Sequence, residues 1–235
     1  MKYFKLTLKL LPIVFIILLI VFLPNLIKIK KLVCVNQYGE CDSKTYDKLS
    51  GVNGLGMKTA RKEIDKILID DYLVKDYSVV FKLPSTYSLN ILLRKPKYAL
   101  ESASDQKVVL VDSEGKVLGE ADSGGLPKVK VEGGLQSAGQ KIKGEYLFSL
   151  EIVSSIYSFF NIDDSTIDGN GLWVSMKDGT KVVFPLEGDK KVLVGSLILI
   201  DNELKKSVTS SKIDLSQKDD VTVDLRFDNP VIRQH

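Results

Sequence analysis

Residues 173–185 read WVSMKDGTKVVFP and form the clearest structural signal in this chain of 235 residues. Two short runs rich in β-branched and aromatic residues flank Asp178-Gly179, and Asp-Gly is a strong signal for a tight hairpin turn. The stretch therefore predicts an antiparallel β-hairpin. On both sides of it, the chain carries further patterns that are typical of short strands and helices.

Two patterns follow the hairpin toward the C-terminus. Residues 192–204 carry leucine and isoleucine both in strand-like triplets and at helical spacing, so that we favour a helix, with a strand as the alternative. Residues 221–227 (VTVDLRF) alternate apolar and polar side chains, which is typical of a strand with one buried face. Pro230 is expected to end this strand.

The residues before the hairpin complete a β-rich domain with two helices. Apolar residues recur at helical spacing over residues 146–160 and predict a helix that is buried over a wide arc. Residues 108–111 (VVLV) predict a buried strand, whereas the acidic residues between 163 and 168 are typical of a solvated loop. We assign this domain to residues 100–230, with residues 231–235 as a C-terminal tail.

A smaller α+β unit is predicted over residues 28–99. Its pattern is a short strand, two short helices and two further strands, in the order β-α-α-β-β. Ala60 and Ile64 belong to an apolar face that repeats at helical spacing in the second helix. The two strands that follow cover residues 75–83 and 87–93 and are separated by a turn that contains Pro84.

Cys34 and Cys41 are the two cysteines of the chain, and eight residues, including Gly39, run from one to the other. They form either a short-range disulfide or two unpaired small apolar residues near a strand end. As a disulfide, the pair would stabilise the fold by about 2–3 kcal/mol on the chain-entropy estimate. Disulfides persist in oxidising compartments, which favours a position outside the cytoplasm.

Residues 10–27 form an uncharged apolar run between two groups of three lysines. Eighteen helical residues span roughly 27 Å, which is close to the hydrocarbon thickness of a bilayer. The run predicts one uncleaved transmembrane helix, since no small residues suited to signal-peptide cleavage follow it. Residues 1–9 would then form a cytoplasmic tail, and the rest of the chain would lie outside.

The charge distribution and the histidine content exclude several classes of function. The first 31 residues hold six lysines and no acid, which leaves 27 basic and 30 acidic residues in the remainder, a net charge of −3. A mildly acidic region argues against nucleic-acid binding. His235 is the only histidine, so that a Ser/His/Asp triad and a zinc site with histidine ligands are excluded. We assign no catalytic, cofactor-binding or metal-binding residues.

Three stretches resemble the bacterial cell-division family FtsQ/DivIB. Leu83-Pro84 followed by residues 89–96 (LNILLRKP) is similar to the segment that closes the POTRA domain of that family. Residues 109–118 (VLVDSEGKVL) resemble a hairpin of its β domain, and residues 223–227 (VDLRF) with Pro230-Val231 resemble its terminal strand. They occur in the family's order between residues 83 and 231 of the chain.

The resemblance implies a non-enzymatic single-pass membrane scaffold with a POTRA-type domain and a β domain. In that family, the domains outside the cytoplasm bind small coiled-coil division proteins of the FtsB/FtsL/DivIC type. They link these proteins to septal peptidoglycan synthesis at the division septum, without a cofactor and without nucleic acid. The resemblance thus implies a function in cell division, at the cell membrane.

The last alternating strand is the candidate partner-binding element. At a sheet edge it would accept a partner strand through backbone pairing, and Thr222, Asp224, Arg226 and Phe227 are the candidate contact residues. The alternative is a strand that is fully paired inside its sheet. Other functions considered are a POTRA-bearing assembly or secretion factor, a ligand-sensing ectodomain and a cell-envelope enzyme.

Overall fold

A computed structural model describes residues 27–210, 221–227 and 229–234 of the chain. They form a mixed α+β structure that divides into two compact units between Arg94 and Lys95. The predicted boundary lay five residues further on, at 99/100. The earlier boundary arises because Tyr98–Ser102 is a strand of the second unit, paired with its neighbours on both sides.

The first unit is a four-stranded sheet with two α-helices. Its elements are β1 (Lys31–Asn36), β2 (Gly39–Glu40), α1 (Ser43–Leu49), a 3-10 turn (Ser50–Val52), α2 (Met57–Asp70), β3 (Val74–Lys82) and β4 (Thr86–Leu93). The sheet order is β2-β1-β4-β3, in which β1 and β4 run parallel and the other pairs run antiparallel. Parallel strands need a crossover connection, and the two helices lie within it.

Helix α2 contributes one apolar face to the core of this unit. Ala60, Ile64 and Leu68 recur every four residues, so that they lie on one side of the helix, and all three are buried. They belong to the same buried cluster as Cys34 of β1 and Leu89 of β4, which are opposite each other in the parallel ladder. The helical spacing in the sequence thus corresponds to the core face.

Cys34 and Cys41 are joined by a disulfide that closes the β1–β2 hairpin. The hydroxyl of Tyr46, in α1, accepts the Cys34 N–H at 3.2 Å and donates to the Cys34 carbonyl at 3.3 Å. At the other end of the hairpin, the Gln37 amide accepts the Leu93 N–H at 2.9 Å and donates to the Leu93 carbonyl at 3.0 Å. The hairpin is therefore attached to both α1 and β4.

The second unit is a nine-stranded sheet with two longer helices. Its elements are β5 (Tyr98–Ser102), β6 (Val108–Val111), β7 (Val117–Glu120), β8 (Lys128–Val131), α3 (Gly144–Ile156), β9 (Ile162–Asp168), β10 (Gly171–Met176), β11 (Lys181–Phe184), α4 (Lys190–Ser210), β12 (Val221–Asp224) and β13 (Val231–Gln234). The sheet order is β13-β12-β11-β10-β9-β8-β5-β6-β7.

The two helices of this unit connect parallel strands and cover its core. Strands β8 and β9 are parallel and are joined through α3, and strands β11 and β12 are parallel and are joined through α4. Leu150, Val153 and Ile156 of α3 and Leu197 of α4 are buried in the cluster that also contains the inner side chains of the sheet. The favoured helical interpretation of residues 192–204 is confirmed, within Lys190–Ser210.

Two predictions for the second unit are wrong. The acidic stretch predicted as a loop is strand β9, in which Asp164 forms an ion pair of 2.9 Å with Lys130 of β8 while Ile167 is buried. The predicted C-terminal tail contains strand β13, which pairs antiparallel with β12. In both cases the backbone N–H and C=O groups form hydrogen bonds with a neighbouring strand. This pairing stabilises a strand in a stretch whose own sequence favours one only weakly.

The predicted fold class is wrong in its N-terminal transmembrane helix. No helix in the described part of the chain is both long enough and apolar enough to cross a membrane. The longest, α4, carries charges that include Lys191, Asp201 and Lys205. Residues 1–26 lie outside the described residues. Of the predicted span 10–27, only Ile27 is described, and it is not helical. The remaining α+β class matches the structure.

Replacement of both cysteines (Cys34→Ser with Cys41→Ser) is expected to lower the free energy of unfolding by about 2–3 kcal/mol, because the unfolded chain regains the freedom of an eight-residue loop. Urea unfolding followed by circular dichroism measures this difference. The control is the unmodified chain under reducing conditions, which should approach the stability of the double variant. Equal stabilities of the oxidised chain and the double variant would contradict the prediction.

Candidate functional site

The predicted partner-binding strand is not at a sheet edge. Strand β12 pairs in parallel with β11 on one side and antiparallel with β13 on the other. The edge-strand hypothesis is therefore wrong for β12. The residues after Pro230 return alongside β12 as β13, and β13 is the outermost strand on that side of the sheet.

The direction of the backbone groups along β13 follows from its neighbour. The Leu225 N–H donates to the Val183 carbonyl of β11 at 2.8 Å. Because the backbone groups of successive residues point to opposite sides of a strand, the N–H and C=O of Asp224 point toward β13. Asp224 is opposite Val231, and Val223 is opposite Ile232. The N–H and C=O of Ile232 consequently point away from β12, to the side on which no strand of the described residues lies.

Asp224 and Arg226 form a forked ion pair where β12 ends. Asp224 Oδ1 accepts Arg226 Nε at 2.9 Å and the Arg226 backbone N–H at 3.1 Å, and Asp224 Oδ2 accepts Arg226 Nη2 at 2.7 Å. The Asp224 side chain is 4% exposed, and that of Arg226 is 33% exposed. The hydrogen bonds from the Arg226 side chain hold the pKa of Asp224 below its usual value, against the opposing effect of burial.

This ion pair has a structural role in the turn that leads to β13. The buried Asp224 carboxylate is committed to Arg226, so it does not offer a free contact to a partner. Gly171, at the start of β10, lies close to the Arg226 side chain. A Cβ atom at position 171 would be 3.0 Å from Val183 Cγ1 and 3.5 Å from Arg226 Cδ. A glycine at position 171 therefore allows the strands and the arginine to pack closely, and no sequence motif indicated it.

An open groove of about 920 Å³ lies beside the same turn. Its walls come from the first turns of α3, the loop after β11 and the turn after β12. The groove combines apolar and charged side chains, which include Phe148, Leu186, Phe227, Glu145, Glu187 and Arg226. We call it the C-terminal groove. Phe227 is 54% exposed there and is the most accessible apolar side chain of the predicted set.

The four predicted contact residues therefore occupy different environments. Arg226 and Phe227 line the C-terminal groove, Asp224 is buried beside Arg226, and Thr222 is half-buried inside β12 opposite Arg233. The predicted strand over residues 221–227 is too long, since β12 ends at Asp224 and Arg226 and Phe227 lie in the turn that follows. The predicted contact residues also omitted Val231 and Ile232, which are 38% and 46% exposed. Their only sequence signal is the short apolar pair that follows Pro230.

The groups at this site are backbone donors and acceptors, charged side chains and exposed apolar side chains. Within residues 27–210, 221–227 and 229–234, no group of three histidine, cysteine or acidic side chains is arranged to hold a metal ion. The backbone edge of β13 offers hydrogen bonds, and the exposed apolar side chains beside it offer buried area to a partner.

Comparison with known proteins adds no assignment. No protein-family model matches the chain, and no curated protein matches it significantly in sequence.

Replacement of Asp224 by asparagine is expected to lower the free energy of unfolding at pH 7 by about 2 kcal/mol, because Arg226 loses its charged partner. The lowered pKa of Asp224 means that its stabilising contribution is present above the unfolded-state pKa of about 3.9. It is lost as the pH falls through the lower folded-state pKa. The difference between the variant and the parent should therefore shrink below about pH 4.

Urea unfolding at pH 7 and at several values between pH 5 and pH 2 measures this dependence. The matched control is Asp168→Asn, an exposed carboxylate at the end of β9. A stability difference for Asp224→Asn that stays constant over this pH range would show that the charge of Asp224 does not contribute.

Proposed function

We propose that this chain is a non-enzymatic scaffold of the bacterial division machinery, which binds another division protein by strand addition to β13. The partner class is the small coiled-coil proteins of the FtsB/FtsL/DivIC type, and the role is to connect them to septal peptidoglycan synthesis. The three resembling stretches of sequence suggest the family. The outer edge of β13, along which no strand of the described residues pairs, is the observation that carries the binding mode.

Strand β13 fits strand addition in its backbone and in its side chains. Ile232 directs its N–H and C=O outward, so a partner strand gains backbone hydrogen bonds without a special side chain. Val231, Ile232 and Phe227 are all more than one-third exposed, and together they offer apolar area to the partner. Arg233 adds a positive charge on the same strand.

The C-terminal groove extends this surface beyond the strand. Val231, the first residue of β13, is opposite Asp224, and the turn between them contributes Arg226 and Phe227 to the groove. A partner strand that runs along β13 therefore reaches the groove as it continues past Val231. An apolar partner side chain would pack there against Phe148, Leu186 and Phe227.

A position outside the cytoplasm is part of the proposal. The Cys34–Cys41 disulfide supports it, since such bonds persist in oxidising compartments and are rare in the cytosol. Location at the cell membrane, and at the septum in particular, stays a prediction of the sequence. The partner is accordingly expected to present its binding segment on the outer side of the membrane.

Replacement of Ile232 by proline tests the strand addition directly. Proline removes the outward N–H of Ile232 and leaves the hydrogen-bonded pairs of β12 with Val231 and Arg233 in place. We expect the dissociation constant for the FtsB- or DivIC-type protein of the same organism to rise by tenfold or more. Surface plasmon resonance with the immobilised partner measures it.

The matched control is Ile232→Ala, which shortens the side chain but keeps the N–H, and it should weaken binding by less than the proline does. Thermal unfolding identifies a variant that has lost its fold. Unchanged binding by a folded proline variant would refute strand addition at β13. Absence of binding by the parent chain itself would refute the proposed partner class.

Cellular localisation tests the division role independently of the binding mode. A fluorescent fusion expressed from the native promoter is expected to form a ring at midcell in dividing cells, because a division scaffold must be present where the septum is made. Imaging of the fusion with a membrane dye as the reference measures the enrichment. A uniform membrane signal throughout the cell cycle would contradict the proposed function.

A further inference from the structure

The first unit has its own long edge strand, β3. This strand covers nine residues and is the outermost strand on its side of the four-stranded sheet. The Lys31 N–H of β1 donates to the Ser85 carbonyl, just before β4. The backbone N–H and C=O groups of the odd-numbered residues of β4 therefore point toward β1, and those of the even-numbered residues point toward β3. In the β3–β4 ladder, Ser78 is opposite Asn90 and Val80 is opposite Ser88. Tyr77, Val79 and Phe81 therefore direct their backbone groups outward.

Two side chains of the same unit occupy the middle of this edge. Arg61 of α2 donates from Nη1 to the Val79 carbonyl at 2.9 Å, and the Asp76 carboxylate accepts the Tyr77 N–H at 2.8 Å. Arg61 is held in place by Asp65, at 2.9 Å from Nε to Oδ2. The outward backbone groups of β3 are thus partly satisfied within the chain, which is one way in which a sheet edge is protected from strand pairing.

The sequence of β3 is also complementary to itself. When two copies are aligned antiparallel about Val79, Asp76 of each copy lies opposite Lys82 of the other, and Ser78 lies opposite Val80. Residues directly opposite each other in an antiparallel pair lie on the same face. The alignment therefore brings the Asp76 carboxylate of each copy close to the Lys82 ammonium of the other. Alignments shifted by two residues keep the faces matched but lose this pairing. The outward groups of Val79 would then pair with those of the second copy.

We propose that β3 is a self-association edge for a second copy of this chain, held closed in the single chain by Arg61 and Asp76. Opening requires Arg61 to release the Val79 carbonyl, which then accepts the Val79 N–H of the second copy. Asp76 exchanges the Tyr77 N–H for Lys82 of the second copy. The result is a continuous eight-stranded sheet from two four-stranded ones. This proposal is independent of the partner proposed for β13.

Cysteine cross-linking in the full chain tests the alignment. Ser78 and Val80 are both exposed, and a chain with Ser78→Cys is mixed with a chain with Val80→Cys. In the proposed alignment these two positions form a non-hydrogen-bonded pair with about 4.5 Å between Cα atoms, which suits a disulfide. The native cysteines are already joined to each other. We expect mixed dimers, which join one chain of each variant, to exceed the dimers of either variant with itself.

The role of Arg61 is tested by adding Arg61→Ala to both chains of the mixture. Release of the Val79 carbonyl in both copies should raise the yield of mixed dimers by about tenfold, since each net hydrogen bond changes an equilibrium by a few-fold or more. The matched control is Lys62→Ala, which removes the next cation of α2 and should leave the yield unchanged. Circular dichroism verifies that the variants are folded. An unchanged yield from folded Arg61→Ala chains would overturn the closing role of Arg61.

A charge exchange tests the register without relying on Arg61. Lys82→Asp alone should lower the yield of mixed dimers, because it places two aspartates opposite each other while Asp76 still accepts the Tyr77 N–H. Asp76→Lys combined with Lys82→Asp should restore the yield, because the opposite charges are re-formed in reversed order. Failure of the double variant to recover, or equal cross-linking for all cysteine combinations, would overturn self-pairing through β3 and would leave the strand of another protein as the occupant of that edge.

Discussion

Backbone N–H and C=O groups on an outermost strand have no neighbour in their own sheet, and the architecture of this protein depends on how they are satisfied. The first unit uses side chains: Arg61 and Asp76 bind the outward groups in the middle of β3. In the second unit, β13 covers β12 and leaves Ile232 directed outward instead. Within the part of the chain that the structure describes, one edge is therefore partly closed by side chains, whereas the other has no strand beside it.

The ordering of the second sheet follows from its helices. Helix α3 carries the chain from β8 to β9 and helix α4 carries it from β11 to β12, and each crossover makes its two strands parallel. Between these crossovers lies the antiparallel meander β9-β10-β11. The Asp224–Arg226 fork lies just after the second crossover, where the chain turns into β13. The turn, the groove beside it and the free edge are thus positioned together by one connection.

Much of the fold was predictable because local patterns and burial agree. The Asp178-Gly179 hairpin follows from its turn residues and the apolar face of α2 from its helical spacing. The helix at residues 192–204 was favoured over a strand on the same spacing. Strand β9 was missed because it carries three aspartates, and the ion pair of Asp164 with Lys130 of another strand shows how such a stretch is accommodated in a sheet. Non-local pairing of this kind leaves no signal in a short window of sequence.

The parallel pairing of β1 with β4 has a mechanical consequence for the first unit. Six residues of β1 are in register with six of β4, and the chain enters at Lys31 of one strand and leaves at Leu93 of the other, at opposite ends of the ladder. Tension applied through the two ends of this unit therefore loads all the hydrogen bonds of the ladder in shear, so that they must rupture together. Forced unfolding is governed by that barrier. The ladder is accordingly the part of this unit that resists a pulling force on its two ends.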